Sequence, residues 1–272
     1  MKDVLVFLSP TSEDHLPASV HYGLSLASAH QAFVSVLIAE PRQLKSDDMH
    51  ADNAATRPST PTERLVKTAE LVLSAAKSAN VPCEILGTRG VYLSLRERLI
   101  RSVQVRDILI VDVDGPLEPP RKDLVDGALF SSGRPLVLVP QGARQSSAIK
   151  IAVAWDATPS AVRAVHDALA LLKRAREVSV VSVVDDKTPW TPDTGDALCR
   201  YLKRWDVATT FTAITRASLE TGTALLNYAR QINADLLVMG GFAHGFEREL
   251  MLGSATRDIY RTSIEIPVFL SH

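Results

Sequence analysis

A glycine-rich segment late in the chain has the composition of an anion-binding loop. It runs from Gly240 to Ser254 and follows the apolar run Leu236–Met239. Glycine permits a tight turn and close backbone approach, and a helix is predicted to begin at Gly253-Ser254. Free N–H groups and the helix dipole at such a start favour an anion such as phosphate, and the serine hydroxyl adds a donor. The segment therefore predicts a phosphate site that includes Gly240, Gly253 and Ser254.

An aspartate follows another predicted strand of the same half. Asp156 comes directly after the apolar run Ile151–Trp155. In open parallel sheets, ligands bind outside the carboxyl ends of strands where the strand order reverses. With the order 3-2-1-4-5, the reversal lies between the strands that end at Asp156 and at Gly240. We therefore expect these two loops to face each other.

Each of these residues also has a purely structural interpretation. Asp156 could cap the following helix or accept from loop amides. Gly240 could belong to a plain turn, and Gly253-Ser254 could be a helix end followed by a helix start. In the same loop, His244 and the nearby Arg248 and Arg257 could contact a phosphate, but solvated side chains are the commoner case. Trp155 is predicted to be a core side chain.

Short β-branched runs alternate with longer helical patterns, which predicts βαβ units and a parallel sheet. A helix start is indicated at Thr158-Pro159. The predicted strands are Val4–Leu8, Phe33–Ala39, Pro82–Leu86, Ile108–Val113, Leu136–Val139, Ile151–Trp155, Val178–Val184, Thr210–Ile214, Leu236–Met239 and Val268–Leu270. The predicted helices include Ala18–Ala29, Thr62–Ala79, Ser94–Val103, Ser160–Arg174, Gly222–Ile232 and Ala255–Thr262.

The two halves of the chain repeat one another. The run from Asp107, Asp-Ile-Leu-Ile-Val, corresponds to Asp-Leu-Leu-Val-Met from Asp235. The polar stretch 141–148 lacks periodicity and predicts a joint, so we expect one domain at 1–141 and a second at 149–272. The first half carries extra Pro-, Ser-, Thr- and Asp-rich residues at Pro41–Pro61, which predict a mobile loop.

The second half resembles the universal stress protein family in its tandem two-domain bacterial form. Nucleotide-binding members carry Gly-x-x-Gly, nine residues, then Gly-Ser/Thr. Here Gly240 is followed by Ala243 in place of the second glycine, and then by Gly253-Ser254. The aspartate after strand one, which meets adenosine in the family, matches Asp156. The apolar position at the end of strand two matches Val184.

The resemblance implies fold and function together. It implies an α/β fold of two tandem Rossmann-like domains, each a five-stranded parallel sheet of order 3-2-1-4-5 with helices on both faces. It implies a cytoplasmic stress-response protein that binds ATP or AMP, with Mg²⁺, in its C-terminal domain and hydrolyses ATP slowly at most. It also implies pairing of the two halves through the segment near Pro267–Leu270, and a possible homodimer. The competing interpretation is a scaffold that binds no nucleotide and acts through protein contacts.

The first half departs from the family pattern. Ser9 stands where Asp156 stands, and no Gly-x-x-Gly or Gly-Ser follows Val113. This half is therefore interpreted as a degenerate copy without the site.

A phosphatase of the haloacid dehalogenase type is a weaker alternative. Asp112-Val-Asp114-Gly115 after a strand is similar to its nucleophile motif, and Asp185-Asp186 could supply metal-binding acids. Pro116 stands where that motif has threonine, so Asp114-Gly115-Pro116 is predicted to be a turn.

Composition excludes several classes of function. Thirty Lys and Arg against 31 Asp and Glu give a net charge of −1, which disfavours nucleic-acid binding. Two distant cysteines, Cys83 and Cys199, and dispersed histidines predict no metal site and a reducing compartment. No apolar run approaches the ~18 residues needed to span a bilayer, and the N-terminal Val4–Leu8 is predicted to be a strand and not a targeting segment.

Overall fold

The computed structural model describes residues 1–9, 15–39, 63–87, 93–143, 149–185, 193–241 and 254–272. Contacts divide the chain into two compact units, one of residues 1–112 and 118–146 and one of residues 113–117 and 147–272. The predicted loop Pro41–Pro61 lies outside the described residues.

The first unit is a five-stranded parallel α/β sheet with strand order β3-β2-β1-β4-β5. Its pairing is in register between neighbours, for example Val4 with Val34 on one side and with Ile108 on the other. The central strands are apolar and fully buried, as expected for a sheet covered on both faces. Its elements are β1 (Asp3–Leu8), α1 (Ala18–His30), β2 (Phe33–Ile38), α2 (Glu63–Ser78), β3 (Cys83–Ile85), α3 (Leu95–Gln104), β4 (Ile108–Val113), α4 (Arg121–Ser131) and β5 (Leu136–Pro140).

The second unit repeats this topology, with β8-β7-β6-β9-β10 as its strand order. The two orders are the same, 3-2-1-4-5, as predicted. The elements are β6 (Lys150–Ala154), α5 (Pro159–Leu172), β7 (Glu177–Val183), α6 (Asp193–Lys203), β8 (Thr209–Ile214), α7 (Thr221–Gln231), β9 (Leu236–Gly240), α8 (Ser254–Arg261) and β10 (Val268–Ser271).

The chain direction places helices on both faces of this sheet. Parallel crossovers are right-handed, and the chain moves outward from β6 through β7 to β8, then back to β9 and β10. Helices α5 and α6 therefore cover one face, and α7 and α8 cover the other, where they pack together. The α/β fold class is confirmed.

Helices α4 and α6 are absent from the predicted set. Both contain a glycine that sequence patterns penalise, and both glycines serve close packing. A Cβ at Gly127 would meet the Arg96 guanidinium at 2.6 Å, and one at Gly195 would lie 2.1 Å from the Phe211 ring. Contacts that no local pattern records therefore offset the ~1 kcal/mol helix penalty of glycine.

Candidate functional site

The point where the strand order reverses in the second unit lies between β6 and β9. These strands pair in parallel, with Val153 opposite Val238. Extending that register places Trp155 beside Gly240 and puts Asp156 just beyond the strand ends. The structure thus brings Asp156 and Gly240 to adjacent positions at the carboxyl edge of the sheet, where ligands of this fold class bind.

Asp156 forms a local turn with the start of α5. Its Oδ1 accepts from the backbone N of Thr158 at 3.0 Å and from Thr158 Oγ1 at 2.6 Å. Thr158 also caps α5 by accepting from the backbone N of Ala161, so the predicted helix start is present. The Asp156 side chain is exposed, and no described residue donates to its Oδ2. Oδ1 is therefore engaged in the turn, and Oδ2 has no donor among the described residues.

Val184 lies at the end of β7, on the other side of β6. Its backbone N donates to the Ile214 carbonyl at 2.9 Å, which continues the β7–β8 pairing. The hydroxyl of buried Ser182 donates to the Trp155 carbonyl at 2.6 Å and so joins the end of β7 to the loop that carries Asp156. Val184 is half-buried and offers apolar surface at this edge.

Gly240 is in close contact with the first turn of α5. A Cβ there would lie 2.6 Å from the Ala161 N and 2.8 Å from Ser160 Oγ. Packing against α5 therefore requires a glycine at this position whether or not a ligand binds. Sequence reasoning missed this contact, because nothing in the local pattern shows which helix covers the strand end.

Helix α8 begins at Ser254, at the predicted start. The hydroxyl of Thr256 in its first turn donates to the Gly240 carbonyl at 3.4 Å, which places this helix start beside the end of β9. Arg257 is exposed. The other predicted contacts of this loop, Ala243 and Gly253, lie outside the described residues, as do His244 and Arg248.

Trp155 differs from its predicted role in the core. Its indole is only partly buried, and Nε1 donates to the Thr194 carbonyl at the start of α6, at 3.2 Å. A residue at the end of a strand lies at the margin of the sheet, where helix cover is incomplete, so the ring lines an open pocket.

The equivalent position in the first unit contains an ion pair. Arg121 Nη1 lies 3.1 Å from Asp112 Oδ2 and donates to the Asp112 carbonyl at 3.0 Å. Arg121 Nη2 also donates to Ser9 Oγ at 3.4 Å. A guanidinium therefore bridges the ends of β1 and β4. The sequence offered no signal for this bridge, because Ser9 is 112 residues from Arg121 and no local pattern shows that Arg121 turns back to Asp112.

The described residues of the phosphatase alternative are engaged in other local structure. Asp112 pairs with Arg121, and Asp114-Gly115-Pro116 forms a bend with Gly115 at a φ of +75°. Asp185 accepts from the backbone N of Arg216 at 2.7 Å, which is the main cause of its lowered pKa. Asp186 lies outside the described residues. Within the described ranges, no three His, Cys, Asp or Glu side chains cluster to hold a metal ion.

The fold and site together define an open, doubly wound α/β protein with a switch-point cleft in its second unit. Residues 149–270 match the model of the universal stress protein family. That half of the chain therefore belongs to the universal stress protein family, as the resemblance predicted.

Solved structures extend the similarity of fold to the whole chain. A universal stress protein from Archaeoglobus fulgidus DSM 4304 matches with a TM-score of 0.68 and 17% identity, covering 98% of this chain and 97% of that one. A protein of Pseudomonas aeruginosa UCBPP-PA14, described as a candidate universal stress protein, matches with a TM-score of 0.57 and 12% identity, covering 99% and 92%. No curated protein matches the chain. None of the described helices is long and apolar enough to cross a membrane.

Proposed function

We propose that this chain is a cytoplasmic stress-response protein whose second unit binds adenine nucleotide, ATP or AMP. Asp156, an exposed residue, would accept from the adenosine moiety through Oδ2, and Val184 would supply apolar contact. Gly240, Ala243, Gly253 and Ser254 would surround the phosphates. The observation that carries the proposal is the adjacency of Asp156, Gly240 and the start of α8 in a unit that belongs to the universal stress protein family.

The charges of the described residues fit this role for ATP accompanied by Mg²⁺. Asp156 is exposed at the strand gap, and the start of α8, with its positive dipole end, lies beside the same edge. Because the described residues form no metal cluster, the nucleotide would bring Mg²⁺ on its own phosphates. The described site has no residue placed as a general base, so binding and release, and not fast turnover, are the proposed activity.

Thermal unfolding of the full chain with ATP and Mg²⁺, and separately with AMP, tests the proposal. A nucleotide at roughly 100 times its Kd stabilises the native state by about 2.7 kcal/mol. Asp156→Asn keeps Oδ1 as the acceptor for Thr158 but replaces the Oδ2 acceptor with an amide group that only donates, so we expect at least a tenfold loss of affinity by calorimetry. Asp196→Asn, on an exposed face of α6, is the matched control and should bind as the wild type does.

A scaffold that binds no nucleotide is the second candidate. The contacts of Asp156 and Gly240 favour it. Asp156 forms a turn with Thr158 and Gly240 packs against α5, and these contacts explain both residues without a ligand. Absence of any shift with ATP or AMP, together with wild-type behaviour of Asp156→Asn, would overturn nucleotide binding and support this candidate. Light scattering of the same samples tests the homodimer that either candidate allows.

A further inference from the structure

A pocket of about 310 Å³ opens between α5 and α6, on one face of the second unit. Val165 and Leu198 form its floor and are 2% and 5% exposed. Trp155 and Tyr201 form its walls, and Val162 and His166 stand at its rim. Asp156, Val184 and Gly240 do not line it, but Trp155 and Ala157 do, so the pocket adjoins the loop that carries Asp156.

The walls of this pocket are held in place by neighbouring groups. Trp155 Nε1 donates to the Thr194 carbonyl at 3.2 Å, which fixes the indole and leaves its carbon surface to the pocket. The rings of Tyr201 and Trp205 meet edge to face at 6.5 Å, and Lys173 Nζ lies 5.1 Å above Trp205. A preformed pocket loses little conformational entropy when it binds a ligand, so this rigidity favours an occupant.

Two polar groups at the pocket are left for a ligand. The rings of His166 and Tyr201 lie 5.7 Å apart, and neither side chain has a hydrogen-bond partner among the described residues. The imidazole can donate or accept, and the phenol can do both. None of the described lining residues is a lysine or an arginine, so they offer no cation to balance a phosphate.

Size and lining together define the class of occupant. A volume of 310 Å³ is at the lower end of the ~300–1,000 Å³ typical of small-molecule sites, which are mainly apolar with a few polar groups. Flat aromatic walls favour stacking and edge contacts with a planar ring. We propose that the α5–α6 pocket is a second ligand site that binds a small planar aromatic molecule carrying one hydrogen-bonding group.

Titration of the full chain with naphthol, followed by calorimetry and by saturation-transfer NMR, tests this proposal. Ala197 lines the pocket and is exposed, so Ala197→Trp fills the space without disturbing the core. Arg200→Trp puts the same side chain on the same helix outside the lining and is the matched control. We expect one site per chain, at least tenfold weaker binding with Ala197→Trp, and no change with Arg200→Trp. Circular dichroism confirms that both variants fold.

The hydrogen-bonding group is tested by comparing naphthol with naphthalene. One neutral hydrogen bond contributes ~0.5–1.5 kcal/mol. Because 1.4 kcal/mol corresponds to a tenfold change in Kd, naphthol should bind about 2- to 12-fold more tightly than naphthalene. The double variant His166→Ala, Tyr201→Phe should abolish this preference and retain naphthalene binding. No binding of either probe, or equal binding to wild type and Ala197→Trp, would overturn the proposal. Neither outcome depends on nucleotide binding at Asp156.

Discussion

The carboxyl ends of strands one and four differ between the two units, although the strands beneath them match. In the first unit, Asp112 at the end of β4 is paired with Arg121, which also donates to Ser9 at the end of β1. In the second unit the corresponding register places Gly240 where Asp112 stands and Asp156 where Ser9 stands. One unit therefore has a cation bridging the gap, and the other has an exposed carboxylate beside a glycine.

The comparison shows how one residue at a strand end can decide whether the cleft is bridged. The Asp112 side chain is only 16% exposed, and a mostly buried carboxylate requires a cation or hydrogen-bond donors nearby. Arg121, at the start of α4, supplies them and fills the gap. Gly240 has no side chain to neutralise, so the first turn of α5 can approach the strand end.

Beneath this difference the duplicated halves share a contact that explains their sequence repeat. Asp107 Oδ2 accepts from the backbone N of Lys2 at 2.5 Å, and Asp235 Oδ2 accepts from the backbone N of Lys150 at 2.8 Å. In both units the aspartate before strand four joins the start of strand one. The repeat therefore preserves strand pairing, while the carboxyl ends have diverged.

Gly240→Ala is expected to have the largest effect on this comparison. The added Cβ would lie 2.6 Å from backbone atoms of Ser160 and Ala161, which cannot move without shifting α5. Overpacking of this kind costs ~1–3 kcal/mol, and we expect the upper half of that range in urea unfolding. Gly87→Ala is the control, because no atom lies within 4 Å of its added Cβ and its φ is not left-handed. Equal stability of the two variants would show that the α5 contact is unimportant.

Arg121→Ala tests the bridge in the first unit. It leaves the Asp112 carboxylate mostly buried without its cation, which we expect to cost about 1–3 kcal/mol in the free energy of unfolding. The control is Arg230→Ala, whose pair with Glu265 is 51% and 66% exposed and should contribute under ~1 kcal/mol. If Asp112 were a phosphatase nucleophile, Asp112→Asn would abolish an activity of the wild type; we expect no such activity. A loss for Arg121→Ala no larger than the control's would argue against the bridge.

The fold was predictable because strand burial and βα alternation are local signals. Ten strands and six of the eight described helices are recognisable from runs such as Val4–Leu8 and from the start at Thr158. Helices α4 and α6 were not, although a glycine alone does not explain this, because α1 contains Gly23 and was predicted. The contacts of Gly127 with Arg96 and of Gly195 with Phe211 leave no local signal.

The candidate site was predictable only in position. Topology places Asp156 and Gly240 at one edge of the sheet, and the sequence shows both. The interpretation that Asp156 accepts from a loop amide is confirmed by the Thr158 N. The sequence does not show that Gly240 packs on α5 or that Arg121 reaches Asp112. Each of these depends on which helix start meets which strand end, which is a property of packing. For the same reason Trp155 was assigned to the core when it lines a pocket.

Thr158→Ala compares the starts of the first helices of the two units. Thr158 caps α5 and also donates to Asp156, whereas Pro17 before α1 makes no side-chain cap. Loss of a threonine cap costs about 1 kcal/mol. Thr158→Ser retains the hydroxyl and should cost less than half as much in the same urea unfolding. Identical losses for both variants would assign the effect to the methyl group and not to the cap.

The smallest expected effect is a difference in pH dependence between two helix starts. In the first unit, α3 is capped by its own residues, since Glu97 Oε2 accepts from the Ser94 N at 3.0 Å and Ser94 Oγ accepts from the Glu97 N. In the second unit, Asp258 of α8 accepts from the Gly222 N in the first turn of α7 at 3.0 Å. One cap is exposed and local, and the other is buried and comes from a different helix.

These environments shift the two pKa values in opposite directions. The backbone hydrogen bond from Ser94 lowers the pKa of Glu97 below 4.5. The Glu97 carboxylate therefore stabilises the folded state above that pH, and this stabilisation is lost as pH falls through the folded-state pKa. Burial raises the pKa of Asp258 above 3.8, despite the hydrogen bond from Gly222 and the nearby Arg257 and Arg261. The protonated Asp258 carboxyl therefore stabilises the folded state below pH 3.8, and this stabilisation is lost as pH rises through the folded-state pKa.

Urea unfolding of the wild type, Glu97→Gln and Asp258→Asn between pH 3 and 7 measures the sign of each pH dependence of stability. Asparagine and glutamine keep an acceptor oxygen, so each comparison isolates the charge. The stability of the wild type relative to Glu97→Gln should rise with pH, and its stability relative to Asp258→Asn should fall. A rise with pH for both variants would contradict this expectation, because it would show that the hydrogen bond from Gly222 and the nearby arginines outweigh burial and lower the pKa of Asp258.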